Sequence, residues 1–195
     1  KKIIPRQKIR FLPFGIDTER FKPQMKESAK KRLGMKYTDL VITIVARFDP
    51  VKDHTTFLKA ANTISTQFPQ AKFLIVGSSL GNFSGKLNSD SPERKINDYL
   101  ESHPKLRRKV IMTGFVRDTE RIYAATDILV STSRSESFSL VLAEAAACGL
   151  PIVSTNIGGQ HLVVKNGKTG FLVAPRRPSL VARKILLLLK DRHLR

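Results

Sequence analysis

A chain of 195 residues and 21.9 kDa, 41% hydrophobic and 26% charged, has the make-up of one large globular domain. Its single cysteine, Cys148, excludes an internal disulfide framework and a cysteine-based zinc site, and no apolar stretch reaches the roughly 18 residues of a membrane span. Thirty-five Lys and Arg against 16 Asp and Glu leave a net charge of +19, a field that attracts nucleic acid, anionic lipid or phosphorylated small molecules without choosing among them.

The opening KKIIPRQKIRF has no long apolar run and no small-residue cleavage site, so no signal peptide is expected. With one cysteine, a reducing compartment, the cytoplasm, is the expected location. Residues 9–14 read as a short strand or linker that ends in a Gly15-Ile16-Asp17 turn. Residues 1–23 are expected to be a linker and entry segment, 24–190 the folded domain and 191–195 a tail. A basic helix is predicted over 24–33, stopped by Gly34.

A rhythm of unbroken apolar runs follows, at 40–46, 72–76, 109–113, 128–131, 151–155 and 170–173. Runs of this length suit strands buried on both faces. Helical patterns separate them, at 54–68, 92–102, 117–125, 137–148, 159–165 and 178–190. Residues 78–91, polar and turn-rich, are expected to form a mobile loop. Alternation of this kind implies an α/β fold, Rossmann-like and doubly wound, with a parallel six-stranded sheet and helices on both faces. The expected strand order is 3-2-1-4-5-6, with ligands outside the carboxyl ends of the strands at the switch point.

Two loops at those ends carry chemistry. After the first strand, Arg47 and Lys52 can converge on a phosphate pair, Arg by its planar fork and Lys as a point charge. The same two residues also read as solvated surface cations. After the fourth strand, Glu136 lies in the loop and Glu144 between one and two turns into the next helix. Carboxylates there can accept hydrogen bonds from sugar hydroxyls, or can act as partners of the helix dipole. The backbone N–H groups of Phe138, Ser139 and Leu140 are expected to open the helix and to suit an anion. No DxD triplet is present and His54, His103, His161 and His193 lack metal-ligand spacing, so no metal and no cofactor are expected.

Several segments, in order, resemble one family. FLPFGIDTERFKP, ARFDPVKD, FLIVGS, VIMTGFV, SESFSLVLAEAAACGLPIVSTNIGG and NGKTGFLV are similar to the C-terminal, donor-binding domain of retaining GT-B glycosyltransferases of the glycogen synthase and mannosyltransferase type, family 4. The resemblance covers nearly the whole chain and includes the E-x7-E signature. It implies one half of a GT-B fold that binds a nucleoside diphosphate sugar and passes a hexose-type sugar, with retention, to an acceptor hydroxyl in polysaccharide, lipid-linked or glycan synthesis. Carried over by position, it implies that Arg47 and Lys52 hold the diphosphate and that Glu136 contacts the transferred sugar. Arg47, Lys52 and Glu136 are thus the candidate catalytic group. Ser137 and the amides of Phe138, Ser139 and Leu140 would bind the sugar or distal phosphate, Glu144 the ribose, and Gly77, Gly114, Phe115 and Val116 would flank the base.

Some positions depart from the pattern. Ser137 and Ser139 stand where the family commonly has glycine, Ala46 replaces the glycine before the Arg, and Gly158-Gly159-Gln160-His161-Leu162 lacks the usual acidic residue. His161 is therefore a further pocket candidate, though it reads first as a surface histidine. The acceptor site belongs to an N-terminal domain that this chain is expected to lack, so the chain should bind donor without turning over by itself. Two other readings explain less. A basic module for an anionic membrane surface accounts for the +19 charge, and peripheral membrane attachment combines with the enzyme reading. Nucleic acid is disfavoured, because three tyrosines and no tryptophan offer few stacking platforms. A donor-hydrolysing epimerase shares the architecture but has different site patterns.

Overall fold

The computed structural model describes residues 14–79 and 91–195, together with Gln7 and Leu12. Most of the expected strand or linker at 9–14 and most of the expected loop at 78–91 lie outside the described residues.

Six strands form one sheet: β1 (Leu40–Val45), β2 (Ala71–Val76), β3 (Val110–Gly114), β4 (Ile128–Ser131), β5 (Ile152–Thr155) and β6 (Gly170–Val173). Their order is β3-β2-β1-β4-β5-β6 and every pairing is parallel, as the apolar runs predict. Side chains alternate across the pleat, and both faces are covered. On one face Ile42, Ile44, Phe73, Ile75, Ile128, Val130 and Val153 meet α2 (His54–Gln67) and α8 (Pro178–Lys190). On the other, Val41, Leu74 and Val76 pack with Ile122 of α5 (Thr119–Ala125). Further along that face Leu129 and Ile152 pack on Leu142 and Ala145 of α6 (Leu140–Ala147). This two-sided burial is why the strands read as continuous rather than alternating runs.

The remaining helices are α1 (Lys26–Arg32), α3 (Pro92–Glu101), α4 (Pro104–Arg107) and α7 (Gln160–Val163). Gly34 ends α1 with a positive φ of 68°, as its position predicts. The single turn α4 is not foreseen by periodicity. It starts at Pro104, whose missing N–H is no loss at a first helical position. The predicted helix over 137–148 is shorter at its start. Ser139, not Ser137, caps it, accepting from the Leu142 N–H at 3.4 Å. Residues of the entry segment join the domain: Phe21 is buried in the α5–α6 cluster, and Arg20 meets Glu120 at 2.8 Å.

At the amino ends of β1 and β4 a buried ion pair ties three elements together. Asp127, 5% exposed, accepts from Lys30 at 2.7 Å, from Lys26 at 2.9 Å and from the Val41 N–H at 2.9 Å. Burial alone would raise the Asp127 pKa, but the hydrogen bonds from Lys30, Lys26 and Val41 outweigh it, and the net direction is down. A carboxylate whose folded pKa is depressed stabilises above its unfolded pKa and loses that contribution as pH falls through the folded value. Asp127→Asn leaves Lys30 charged and buried, so denaturant unfolding should show a loss of about 3–5 kcal/mol at neutral pH. The deficit should shrink as both chains are taken to acid.

Candidate active site

The site is built where the strand order reverses. β1 pairs with β2 on one side and β4 on the other, so the loops leaving β1 and β4 turn to opposite faces and open a crevice between them. A cavity of about 190 Å³ lies there, lined by Arg47, Lys52, Ser131, Thr132, Ser133, Glu136 and Ser139 among others. A larger groove of about 660 Å³ runs over the outer surface between α2 and α8, and no strand end reaches it. It presents cations on an apolar floor and has none of the convergent polar groups of the crevice.

The loop after β1 is a tight 3-10 turn, Pro50–Lys52, capped by Asp49, which accepts from the Val51 N–H at 2.8 Å. Asp53 then adopts a left-handed φ of 48° and caps α2 through Thr56. This sharp reversal turns Lys52 inward. The loop after β4 clamps the turn from the other side. Thr132 Oγ1 donates to the carbonyls of Lys52 and Asp53, each at 3.0 Å, and the Arg134 N–H donates to the Val51 carbonyl at 2.7 Å. The Arg134 guanidinium closes on the Pro50 carbonyl.

Held so, Lys52 Nζ meets Glu136 Oε2 at 2.5 Å, with both side chains about four-fifths buried. Two residues far apart in sequence thus form one charge-assisted pair at the crevice floor. Arg47 is exposed beside it, and among the described residues its guanidinium has no ion-pair or hydrogen-bond partner. Among the described residues the crevice therefore holds one neutralised pair and one cation without a partner.

A second seat fixes Glu136 from below. The Gly158-Gly159 turn after β5 lies against the backbone of Glu136 and Ser137. A Cβ on Gly158 would stand 1.6 Å from the Glu136 carbonyl oxygen, and the Gly159 N–H donates to the Ser137 carbonyl at 2.9 Å. Only glycine fits, both for space and for the positive φ of 47° at Gly158. Beneath the turn, Gln160 is fully buried and accepts from Ser154 Oγ while its amide reaches Ser131 Oγ at 3.4 Å. These seats were missing from the sequence reading, although the doubled glycine just past a strand end was a visible signal.

The other expected residues take several places. Gly77 and Gly114 are joined at the ends of β2 and β3, Gly77 donating to the Gly114 carbonyl at 2.8 Å. A Cβ on Gly77 would meet the Ala46 carbonyl at 2.0 Å, so glycine lets β2 approach the start of the Arg47 loop. Phe115 projects outward, 76% exposed, while Val116 packs on the apolar cluster of Val41 and Leu74. Phe138 lies against Phe14, with ring centroids 5.7 Å apart. Phe138 and Ser139 precede the first helical turn, so the expectation that their amides open α6 is corrected. That end begins at Leu140, which is exposed, and the Leu142 N–H is taken by the Ser139 cap. Ser137 is exposed, with its carbonyl engaged by Gly159. Glu144 does not line the small cavity. It stands further along α6, accepting from the Tyr123 hydroxyl at 2.6 Å. His161 is exposed and its Nδ1 donates to the Gly158 carbonyl at 3.0 Å. Cys148 is buried, and burial, with Glu144 and Glu120 nearby, pushes its thiol up to about 11.

The sequence profile of the family "Glycosyl transferases group 1" matches residues 25–195. The chain belongs to the glycosyl transferases group 1 family. It is 32% identical over 166 residues to a D-inositol 3-phosphate glycosyltransferase of Rhodococcus jostii, covering 84% of this chain and 35% of that protein. It is 33% identical over 170 residues to the UDP-Gal:alpha-D-GlcNAc-diphosphoundecaprenol alpha-1,3-galactosyltransferase of Escherichia coli, covering 85% and 41% respectively. Among solved structures, Anabaena HepE in complex with UDP-glucose superposes with a TM-score of 0.81 at 26% identity, over 92% of this chain and 47% of that one. The C-terminal domain of the Francisella tularensis group 1 glycosyl transferase LpcC has the same fold, with a TM-score of 0.80 over 92% of this chain and 90% of that one. The chain spans less than half the length of the curated relatives above, and its fold is one half of a GT-B glycosyltransferase.

His54, first residue of α2, lies under the site loop edge-on to Phe48 at 5.1 Å and is 3% exposed. Burial, the main cause, lowers its pKa to about 4. The folded chain thus holds the imidazole neutral where the unfolded chain, near 6.5, protonates it. Stability from this group is complete above pH 6.5 and is lost as pH falls from there towards about 4, at a slope of up to about 1.4 kcal/mol per pH unit. Urea unfolding of His54→Phe against the parent chain across pH 4–7 should show a flatter dependence in the variant. In the same assay Gly158→Ala should lower stability at every pH and shift the amide resonances of Glu136 and Ser137.

Proposed function

We propose that the crevice between the loops after β1 and β4 binds a nucleoside diphosphate sugar and that the whole protein transfers its sugar to an acceptor hydroxyl. The observation that carries this reading is the pairing of Lys52 with Glu136 at 2.5 Å beside the exposed Arg47, at the switch point of a parallel sheet. The HepE structures, with UDP-glucose and with UDP, support a nucleotide-sugar as the donor class.

In this reading Arg47 and Lys52 take the diphosphate. Their two positive charges stabilise the negative charge that develops on the leaving phosphate, and we read the step as needing no metal. Glu136, released from Lys52, accepts from hydroxyls of the transferred sugar. Retention then fits a front-side path, in which the leaving phosphate oxygen takes the acceptor's proton as the new glycosidic bond forms. The acceptor and its positioning groups come from outside this chain. Turnover therefore requires more than these residues.

Calorimetric titration with UDP, GDP and ADP at moderate salt tests the reading. One diphosphate should bind saturably, and Arg47→Ala should weaken it about tenfold to a hundredfold, the worth of a charge-assisted contact. Equal, weak binding of all three that fades with salt would sink the assignment and leave only the basic surface. A second expectation comes from the ion pair. Glu136→Gln removes the carboxylate that competes for Lys52, so the free diphosphate should bind about threefold to tenfold tighter, while the added affinity contributed by the sugar should disappear.

A further inference from the structure

Tyr123 of α5 is 1% exposed and sits in the apolar cluster with Leu129, Leu142, Ala145 and Cys148. Phe21 packs against its ring at a centroid distance of 6.0 Å. The ring therefore has no freedom to swing away. Its hydroxyl points out of the cluster to Glu144 Oε2 at 2.6 Å. A buried phenol needs some partner, but the partner chosen here is a half-buried carboxylate on the neighbouring helix. Among the described residues Glu144 Oε1 accepts nothing. Burial, followed by the Glu144 contact, raises the phenol's pKa, so the hydroxyl is a donor throughout the working pH range.

We propose that Tyr123 is a positioning residue, which locks Glu144 in one rotamer and leaves its second oxygen free for the ribose hydroxyls of the donor. This rests on the reading of Glu144 as the ribose carboxylate. The physical gain is preorganisation. A glutamate on a helix surface loses side-chain freedom when it binds a hydroxyl, whereas one already held by a buried donor does not. A carboxylate has lone pairs enough to accept from the phenol and from a diol together.

The test measures the ribose contribution by itself. Calorimetry compares UDP (or GDP or ADP, whichever the titration above selects) with its 2′,3′-dideoxy analogue on the parent chain, Tyr123→Phe, Glu144→Ala and the double variant. In the parent, loss of both hydroxyls should weaken binding about tenfold to a hundredfold. In Tyr123→Phe that penalty should fall to about threefold, and in Glu144→Ala and the double variant it should vanish alike. The preference for diphosphate over monophosphate, which belongs to Arg47 and Lys52, should persist in Tyr123→Phe. Tyr123→Met, which also removes the phenol donor and leaves Glu144 at full length, should behave as Tyr123→Phe does. It reads the same contact should Tyr123→Phe fold poorly. A full parental penalty in Tyr123→Phe or in Tyr123→Met, with the penalty gone in Glu144→Ala, overturns the positioning role alone. A full penalty in Glu144→Ala overturns the ribose reading itself, and the positioning role with it.

Discussion

The arrangement of the site depends on one clamp between two loops. Thr132 and Arg134, leaving β4, hold the backbone of residues 50–53 leaving β1. Parallel neighbours at the switch point diverge as they leave the sheet, and their loops have no ladder to join them. The hydroxyl of Thr132, fully buried with its residue, replaces that ladder. Without it Lys52 and Glu136, on different loops, would have no shared frame. With it, a lysine and a glutamate meet at the floor of a crevice while Arg47 stands exposed at its edge.

The molecule divides its charges by end. At the amino ends of β1 and β4, Asp127 gathers two lysines and a backbone N–H on its two carboxylate oxygens. That end is structural. At the carboxyl ends Lys52 and Glu136 pair, and Arg47 has no partner among the described residues. The net charge of +19 is spread far beyond either cluster, so it does not by itself locate the site. Location comes from topology, and chemistry from the few side chains that topology brings together.

The strands were legible because burial on both faces leaves a local mark, an unbroken apolar run. Gly34 and Pro178 marked helix ends by the same local logic. The start of α6 was not legible in this way. Ser137 and Ser139 are equally good caps by residue type, and the choice is made by Gly159, which engages the Ser137 carbonyl from a distant turn. The Lys52–Glu136 contact was readable as two strand ends facing one crevice, but its direct ion pair was not. The docking of Phe21 and the bond from Tyr123 to Glu144 depend on how α5 rotates against α6, a property of packing that no periodicity carries. The chain's one α4 turn is too short to show a period at all.

The doubled glycine has a consequence for anyone rebuilding this protein. The loop bearing Glu136 rests on Gly158 and Gly159 so closely that neither tolerates a Cβ beside it. The loop is therefore not a portable cassette. Transplanted alone onto another parallel sheet, it would arrive without its floor, and its carboxylate would have no fixed address. A successful graft would have to move three separate pieces together: the turn after β1, the loop after β4 and the glycine pair after β5. Inheritance faces the same rule as the engineer, since a change in any one piece alters what the other two can hold.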